Sequence, residues 1–408
     1  MSVEIIPAPA WLGVVGGGQL GRMFAQAAQR AGYRVAVFTD AADSPAAQVA
    51  DRAQVGSYDD AGAVAAFAKT VDALTFEFEN ISPLAAHAAA EHTVVRPQPH
   101  ILESAQHRQT EKELLRSRGF ATAPYFYVQT RAELEDALVE LGWNGVFKTA
   151  ASGYDGHGQV RIQGQRGLER AWELLEAGPG VVEGWIEYRC ELSVVVARNA
   201  SGEIATYGPM RNDHADHILD VSVYPALVGD EIEAKALDLA KQVAEALELE
   251  GVLCVEMFLT KDGQLLVNEL APRPHNSGHL TIEGFATSQF DQQVRALCGL
   301  ELGSTTPVAP AAAMVNLLGD LWFDGSPDAT RVGSDSVFLH LYGKAEPRRR
   351  RKMGHITATG ATAEEAVKKA KAAREAFAGQ RSPDAPEAET LLGCDPTAKS
   401  GTAAEVSR

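Results

Sequence analysis

Cysteine is scarce in this chain: four in 408 residues, at 190, 254, 298 and 394, with no C-x-x-C pair and no histidine at zinc spacing. That excludes a disulfide framework and a zinc ribbon, and it implies reduced thiols, two of them core residues, as in a cytosolic protein. Long apolar runs are missing too. No stretch approaches the ~18 residues that would span a bilayer. The start, Met-Ser-Val-Glu-Ile-Ile-Pro, lacks a basic region, so no signal peptide is expected. Positive charge is in deficit, with 37 Lys+Arg against 54 Asp+Glu, a net charge of −17 and a pI near 5.1. Such a balance argues against a general nucleic-acid or anionic-membrane surface. The sequence carries no Ser-His-Asp or Cys-His signature for covalent catalysis and no internal repeat. What remains is a soluble, cytoplasmic protein, long enough for two or three domains and with an ordinary 45% of hydrophobic residues.

The first segment alternates strands and helices. Trp11–Val15, Arg34–Phe38 and Val71–Phe76 read as strands, with helices over about 21–31, 59–69 (capped by Asp59) and 83–90 (started by Pro83). This pattern predicts a parallel sheet covered on both faces, ending near residue 108. Gly16-x-Gly18-x-x-Gly21 joins the first strand to its helix, and Asp40 follows about 20 residues later, as in a dinucleotide fingerprint. The physical content of that motif is only a turn that lets an anion approach a helix N-terminus. A monophosphate or carboxylate suits it equally, as does a plain tight turn. Gln19 adds a long amide able to reach a polar ligand.

The second segment opens with a charged helix over 106–118, then strands near 124–128, 145–149 and 181–185 around helices at 131–141 and 168–175. From Glu191 strands dominate, broken by one long helix at about 231–247 and closed by a helix near 288–297, which predicts a largely antiparallel α+β domain. Lys148 ends a strand and the loop Gly153-Tyr154-Asp155-Gly156-His157-Gly158-Gln159 follows. Its backbone N–H groups could cover phosphates while Lys148 neutralises them, or it is a plain hairpin loop; it is not the Walker arrangement. Glu256 and Glu269 lie on strands joined by the turn Lys261-Asp262-Gly263, so a hairpin can aim both carboxylates at one point. With Asn268 they offer the hard oxygen donors that Mg²⁺ prefers, against the alternative of a solvated strand face. His214 and His217 have no helix to align them, which disfavours zinc. Beyond residue 304, short strands are expected at 313–317, 336–341 and 348–352, the last within the basic run Arg348–Lys352, which reads as a solvated face, a nucleic-acid patch or an anion pocket. From 379 the composition is that of a disordered tail.

Taken together, Gly16–Met23, Thr75-Phe-Glu-Phe-Glu-Asn80, Lys148 with Gly153–Gln159, Val255-Glu-Met-Phe258, Asn268–His279 and Lys352-Met-Gly-His355 resemble the ATP-grasp superfamily, and within it the PurK-type ribonucleotide synthetase family. The resemblance covers about residues 11–360 and rests above all on Asn268-Glu-Leu-Ala-Pro-Arg-Pro-His-Asn-Ser-Gly-His279. It implies an α/β and α+β multidomain fold: a Rossmann-like preATP-grasp domain (1–108), an ATP-grasp domain (109–303), a small C-terminal β-rich domain (304–378) and a tail (379–408). The implied reaction takes ATP, bicarbonate and 5-aminoimidazole ribonucleotide to the carbamate, ADP and phosphate, in a homodimer.

Carried over by position, ATP would meet Arg108, Lys148, Gly153, Tyr154, Asp155, Gly156, His157, Gly158, Gln159, Glu183, Gly184, Trp185, Ile186, Glu191, His214, Asn268 and Glu269. Glu256 and Glu269 would hold Mg²⁺. Gln19, Leu20, Glu77, Tyr154 and Asp155 would meet the ribonucleotide, with Lys344, Arg351 and Lys352 at its 5′-phosphate. Arg273, His275 and Asn276 would face bicarbonate and the amine, with Lys148 also catalytic. The chain departs from the family at His157, where Arg or Lys is usual, and at Pro347-Arg-Arg-Arg-Arg351, which replaces a commoner Pro-Gly-Arg. The competing readings are another ATP-grasp ligase, such as a formate-dependent glycinamide ribonucleotide transformylase, a dinucleotide-dependent oxidoreductase, and a non-catalytic nucleotide-binding regulator.

Overall fold

The computed structural model describes residues 4–151, 158–323, 327–333 and 335–379. The expected tail therefore lies outside the described residues, apart from Gly379. The first segment forms a five-stranded parallel sheet in the order Arg52–Val55, Arg34–Thr39, Trp11–Val15, Ala73–Phe76, Val94–Val95. The central strands are almost wholly buried, which is why they read as unbroken apolar runs rather than alternating ones. The chain leaves Trp11–Val15 towards one edge and returns on its other side as Ala73–Phe76. That reversal opens a crevice at the strands' carboxyl ends, where Gly16–Gly18 and Glu77 emerge.

A four-stranded antiparallel sheet follows, ordered Tyr125–Val128, Gly180–Gly184, Asn144–Thr149, Gln159–Gln163, and packed on helices Arg131–Glu140 and Leu168–Ala177. The largest sheet has eight strands in the order Leu265–Ala271, Gly251–Thr260, Tyr188–Arg198, Ile204–Ala215, Ile218–Tyr224, Ala311–Leu318, Lys352–Gly360, Val337–Leu341. Helix Asp230–Ala246 covers one end of it with Ala236, Ala240, Val243 and Ala244. The C-terminal strands are thus not a separate sheet: Ala311–Leu318 pairs directly with Ile218–Tyr224. Helix Ala363–Ala378, capped by Thr362 and stopped by Gly379 at φ +75°, lies over that junction.

Local readings are corrected at several points. Asp60 rather than Asp59 caps helix Ala61–Ala68, accepting from Ala63 N–H at 3.0 Å. The charged helix begins at Arg108, because His107 is extended and the Arg108 N–H bonds Ala150 O at 2.8 Å. Arg348–Arg351 is a turn instead of a strand: Arg351 N–H returns to Arg348 O, Arg350 sits at φ +66°, and Asp320 accepts the Arg350 N–H. The turn sends the four side chains to different acceptors, Arg348 to Glu346, Arg349 to Asp320, Arg350 to Asp216 O and Arg351 to Glu346 O, which an extended row could not reach together. The strand begins at Lys352. Strands Arg52–Val55 and Val94–Val95 and the final helix had no expectation attached to them; the two strands are too short to show a period.

Because Leu317 packs in one cluster with Val221, Val223, Ile356 and Val367, truncating it strains both sides of the shared sheet. Leu317→Ala should cost about 2–5 kcal/mol, seen by denaturant unfolding as one shifted transition. A separate early transition confined to the C-terminal strands would contradict the shared sheet.

Candidate active site

Glu256 and Glu269 are direct cross-strand partners on Gly251–Thr260 and Leu265–Ala271, joined by a turn with Gly263 at φ +85°. Residues directly opposite in an antiparallel pair project to the same face, so the hairpin does bring the carboxylates together. Arg108 Nη1 meets Glu269 Oε2 at 3.1 Å and His275 Nε2 meets Glu256 Oε1 at 3.2 Å. Burial alone would raise Glu256, but the charge and hydrogen bond of His275, with His214 and Arg273 beyond, together outweigh it and bring the carboxyl down to about 2.

Behind this pair lies a buried group of cations and carboxylates. Lys148 Nζ lies 2.9 Å from Glu183 Oε2 and donates to Asn268 Oδ1 at 3.4 Å. Lys112, fully buried, reaches Glu183 Oε1 at 3.3 Å and donates to Asn268 O at 2.8 Å. Burial works against Glu183, yet Lys148 and Lys112 together hold it down at about 2. Burial, with Arg108 and Lys112 close by, lowers Lys148 despite Glu183. Glu111 accepts the Leu270 N–H at 2.7 Å; burial and then the neighbouring Glu269 push it up to about 8. The sequence reading passed over Lys112 and Glu111, although Arg108 and Lys112 stand one helical turn apart, a spacing that puts two cations on one face.

The glycine turn meets its anion within the chain. Glu77 accepts the Gly18 N–H at the start of helix Gln19–Arg30, and a Cβ on Gly18 would collide with that carboxylate. Burial raises Glu77 to about 7, opposed by the backbone N–H groups of Gly18 and Leu20 and by the Lys344 charge. A carboxylate where a pyrophosphate would lie rules out the dinucleotide reading. Two residues on, Glu79 takes Arg273 in a fork, Nε–Oε2 at 2.5 Å and Nη2–Oε1 at 3.1 Å. Glu79 belongs to the Thr75–Asn80 motif, and its partner, 194 residues away, is visible only in the fold.

One cleft of about 930 Å³ joins these groups. Its described lining includes Gln19, Leu20 and Glu77 at one end, and Lys148, Gln159, Glu183, Gly184, Trp185, Ile186, Glu191 and His214 at the other. Glu256, Asn268, Glu269, Arg273, His275, Asn276 and Lys352 lie in its lining as well. Arg108 stands behind Glu269 in a side recess. Lys344 and Arg351 are outside the described lining; Lys344 Nζ donates to Lys352 O at 2.7 Å and Arg351 Nη1 to Glu346 O at 2.8 Å. Gly153, Tyr154, Asp155, Gly156 and His157 fall outside the described residues, while Gly158, at φ +72°, accepts the Thr149 N–H at 2.8 Å. Glu191 accepts from Tyr188 OH at 2.9 Å and faces His214 Nδ1 at 3.1 Å; burial lowers the imidazole but Glu191 more than restores it, so its pKa is raised. His217 lines the same cleft as His214. The arrangement suits a triphosphate: buried cations, two facing carboxylates and an amide oxygen at one end, and a polar recess at the other. No helix of the described residues is long and apolar enough to cross a membrane.

Comparison with known proteins agrees with this geometry. Residues 10–106 match the ribonucleotide synthetase preATP-grasp domain, 113–290 the ATP-grasp domain, and 312–369 the phosphoribosylaminoimidazole carboxylase C-terminal domain. The N5-carboxyaminoimidazole ribonucleotide synthase of Bacillus subtilis (strain 168) is 46% identical over 359 residues, covering 88% of this chain and 93% of that protein. A solved ADP complex of an N5-carboxyaminoimidazole ribonucleotide synthetase superposes with a TM-score of 0.87 at 40% identity, covering 91% of this chain and 98% of the other. The Aspergillus clavatus synthase, solved with ADP and 5-aminoimidazole ribonucleotide, gives 0.83 at 32%, covering 90% and 98%. The chain belongs to the N5-carboxyaminoimidazole ribonucleotide synthase family of ATP-grasp ligases.

Proposed function

We propose that the cleft carboxylates the amino group of 5-aminoimidazole ribonucleotide at the expense of ATP and bicarbonate, releasing ADP and phosphate in purine biosynthesis. The observation that carries this reading is the cleft that runs from the Lys148–Glu183 ion pair to the Gln19–Glu77 crevice through Arg273, His275 and Asn276. Arg108, Lys148 and the segment Glu183–Ile186 would hold ATP, with Glu191 and His214 at its ribose end. Gln19, Leu20 and Glu77 would bind the ribonucleotide, with Lys344, Arg351 and Lys352 at its phosphate. Tyr154 and Asp155 belong to the same proposal by resemblance.

Glu256 and Glu269, with Asn268, form an oxygen donor set of the size that Mg²⁺ takes when it shares phosphate oxygens and water. Bound there, Mg²⁺ would neutralise charge on the transferring phosphoryl group. Phosphoryl transfer is otherwise a matter of position and charge, which Lys148 and Arg273 supply. A bicarbonate oxygen attacks the γ-phosphorus, ADP departs, and carboxyphosphate results. The ribonucleotide amine then attacks its carbon, or the CO₂ it releases; phosphate leaves and the amine loses a proton. Asn276 is held ready for this acceptor by a reciprocal amide pair with Asn316, at 3.1 and 2.7 Å, in which Asn316 also donates to Leu219 O. The homodimer and the cytoplasmic setting are parts of the same proposal.

ADP release should require both bicarbonate and 5-aminoimidazole ribonucleotide in omission assays; release that ignores the ribonucleotide but follows another amine or acid would point to a different ATP-grasp ligase. Glu269→Gln should lower kcat by at least about 100-fold with the fold retained, as measured by turnover across a Mg²⁺ titration. Glu183→Gln should cost about 3–5 kcal/mol at neutral pH, because Lys112 and Lys148 lose their shared buried carboxylate. Since the Glu183 pKa falls from 4.5 to about 2 on folding, its stabilisation is present above 4.5 and fades as pH drops towards 2. The wild-type advantage in chemical denaturation should shrink over that interval, and a constant difference would refute the pairing.

A further inference from the structure

The eight-stranded sheet carries a row of polar side chains across five consecutive strands, and only its charged end belongs to the catalytic proposal. Ser222 stands opposite Asn212, Ser193 opposite Glu256, and Glu256 opposite Glu269. Ser193, Ser222 and Ser277 are fully buried and Asn212 is 5% exposed, with buried apolar neighbours such as Leu192, Val194, Met210, Val221 and Val223 on the same strands. The bonds run in one direction. Ser222 Oγ donates to Asn212 Oδ1 at 2.6 Å, Asn212 Nδ2 to Ser193 Oγ at 2.8 Å, and Ser193 Oγ to Ser277 Oγ at 2.7 Å. Ser277 Oγ then lies 2.8 Å from His275 Nδ1, while the other ring nitrogen faces Glu256.

Apolar residues would fill these sheet positions at lower cost, because every buried hydroxyl or amide must be fully paired. What a satisfied polar network adds is a unique arrangement. Here the arrangement ends on one imidazole. We propose that Ser222, Asn212, Ser193 and Ser277 form a buried positioning file that fixes the His275 ring plane and keeps Nε2 aimed at Glu256 and the cleft. Ser193 is the informative member. It is two hydrogen bonds from the ring and is absent from the described cleft lining, so its hydrogen-bonded route to the ring runs through Ser277. The inference rests on the proposed role of His275 at the acceptor side.

The test is a mutant cycle on Ser193 and His275, read by steady-state kinetics and thermal melting. Ser193→Ala should lower kcat about tenfold, the lower end for groups that orient a site residue through a hydrogen bond. KM for ATP should stay within twofold, and adding Ser193→Ala to His275→Asn should bring no further loss. An unchanged kcat with a lowered melting point would reduce the file to a structural feature and overturn the proposal; so would a full tenfold loss on top of His275→Asn. If His275→Asn itself retains full turnover, the acceptor-side role of His275 falls, and the file, having nothing to position, falls with it. Retained turnover in Ser193→Ala beside an inactive His275→Asn would remove the file alone. Should Ser193→Ala fail to fold, Ser222→Ala at the outer end gives the same comparison, with a two- to threefold loss in kcat expected and no loss overturning the proposal.

Discussion

The fork between Arg273 and Glu79 fastens the molecule's two halves at the point where chemistry is proposed. Glu79 leaves the carboxyl end of a parallel sheet; Arg273 follows the last residue of an antiparallel hairpin. Two parallel N–H···O bonds set both the distance and the relative tilt of their partners, which one point contact cannot do. Glu77 and Glu269 lie only a few residues from the fork on either side, so it also sets the span between the ribonucleotide recess and the carboxylate pair. Burial would raise Glu79, but Arg273 keeps its pKa below the ordinary value, so the fork stays ionic at neutral pH.

Around that fork the cleft is organised by the need to neutralise charge away from water. Each carboxylate has a stated counterpart: Glu269 has Arg108, Glu183 has Lys148 and Lys112, Glu256 has His275, and Glu77 has the N–H groups at a helix start. An ion left alone in such surroundings is costly, so these groups come as sets. The same pairing leaves a triphosphate facing cations already desolvated and fixed in place, which do not need to reorganise when phosphoryl charge develops.

Much of this was legible in the residues because it is local. The turn at Lys261–Gly263 marks the hairpin that carries Glu256 and Glu269, although counted from the turn Glu256 would oppose Asn268, and a register shift beside Met257 brings it opposite Glu269. The alternation of strands and helices up to Phe76 likewise fixes a parallel sheet. What stayed hidden is long-range. Nothing near Lys112 says that a residue 71 positions later, Glu183, will lie against it, and nothing near Glu77 says that it will occupy the glycine turn. Arg348–Arg351 resembled an extended run until Asp320 was seen to gather it into a turn. The join between Ile218–Tyr224 and Ala311–Leu318 is of the same kind, a pairing decided by two edges meeting in space.

That join bears on how the chain is made. Ile218–Tyr224 lies inside the finished sheet, but its outer partner is Ala311–Leu318, encoded well downstream. At about 5–20 residues per second, a growing chain carries Ile218–Tyr224 with its outer hydrogen-bonding edge bare for several seconds. Strand edges in that condition recruit any extended segment nearby. On the ribosome the C-terminal strands therefore act as a late cover for a sheet that is otherwise complete, and a chain that stops short of them keeps a sticky flank.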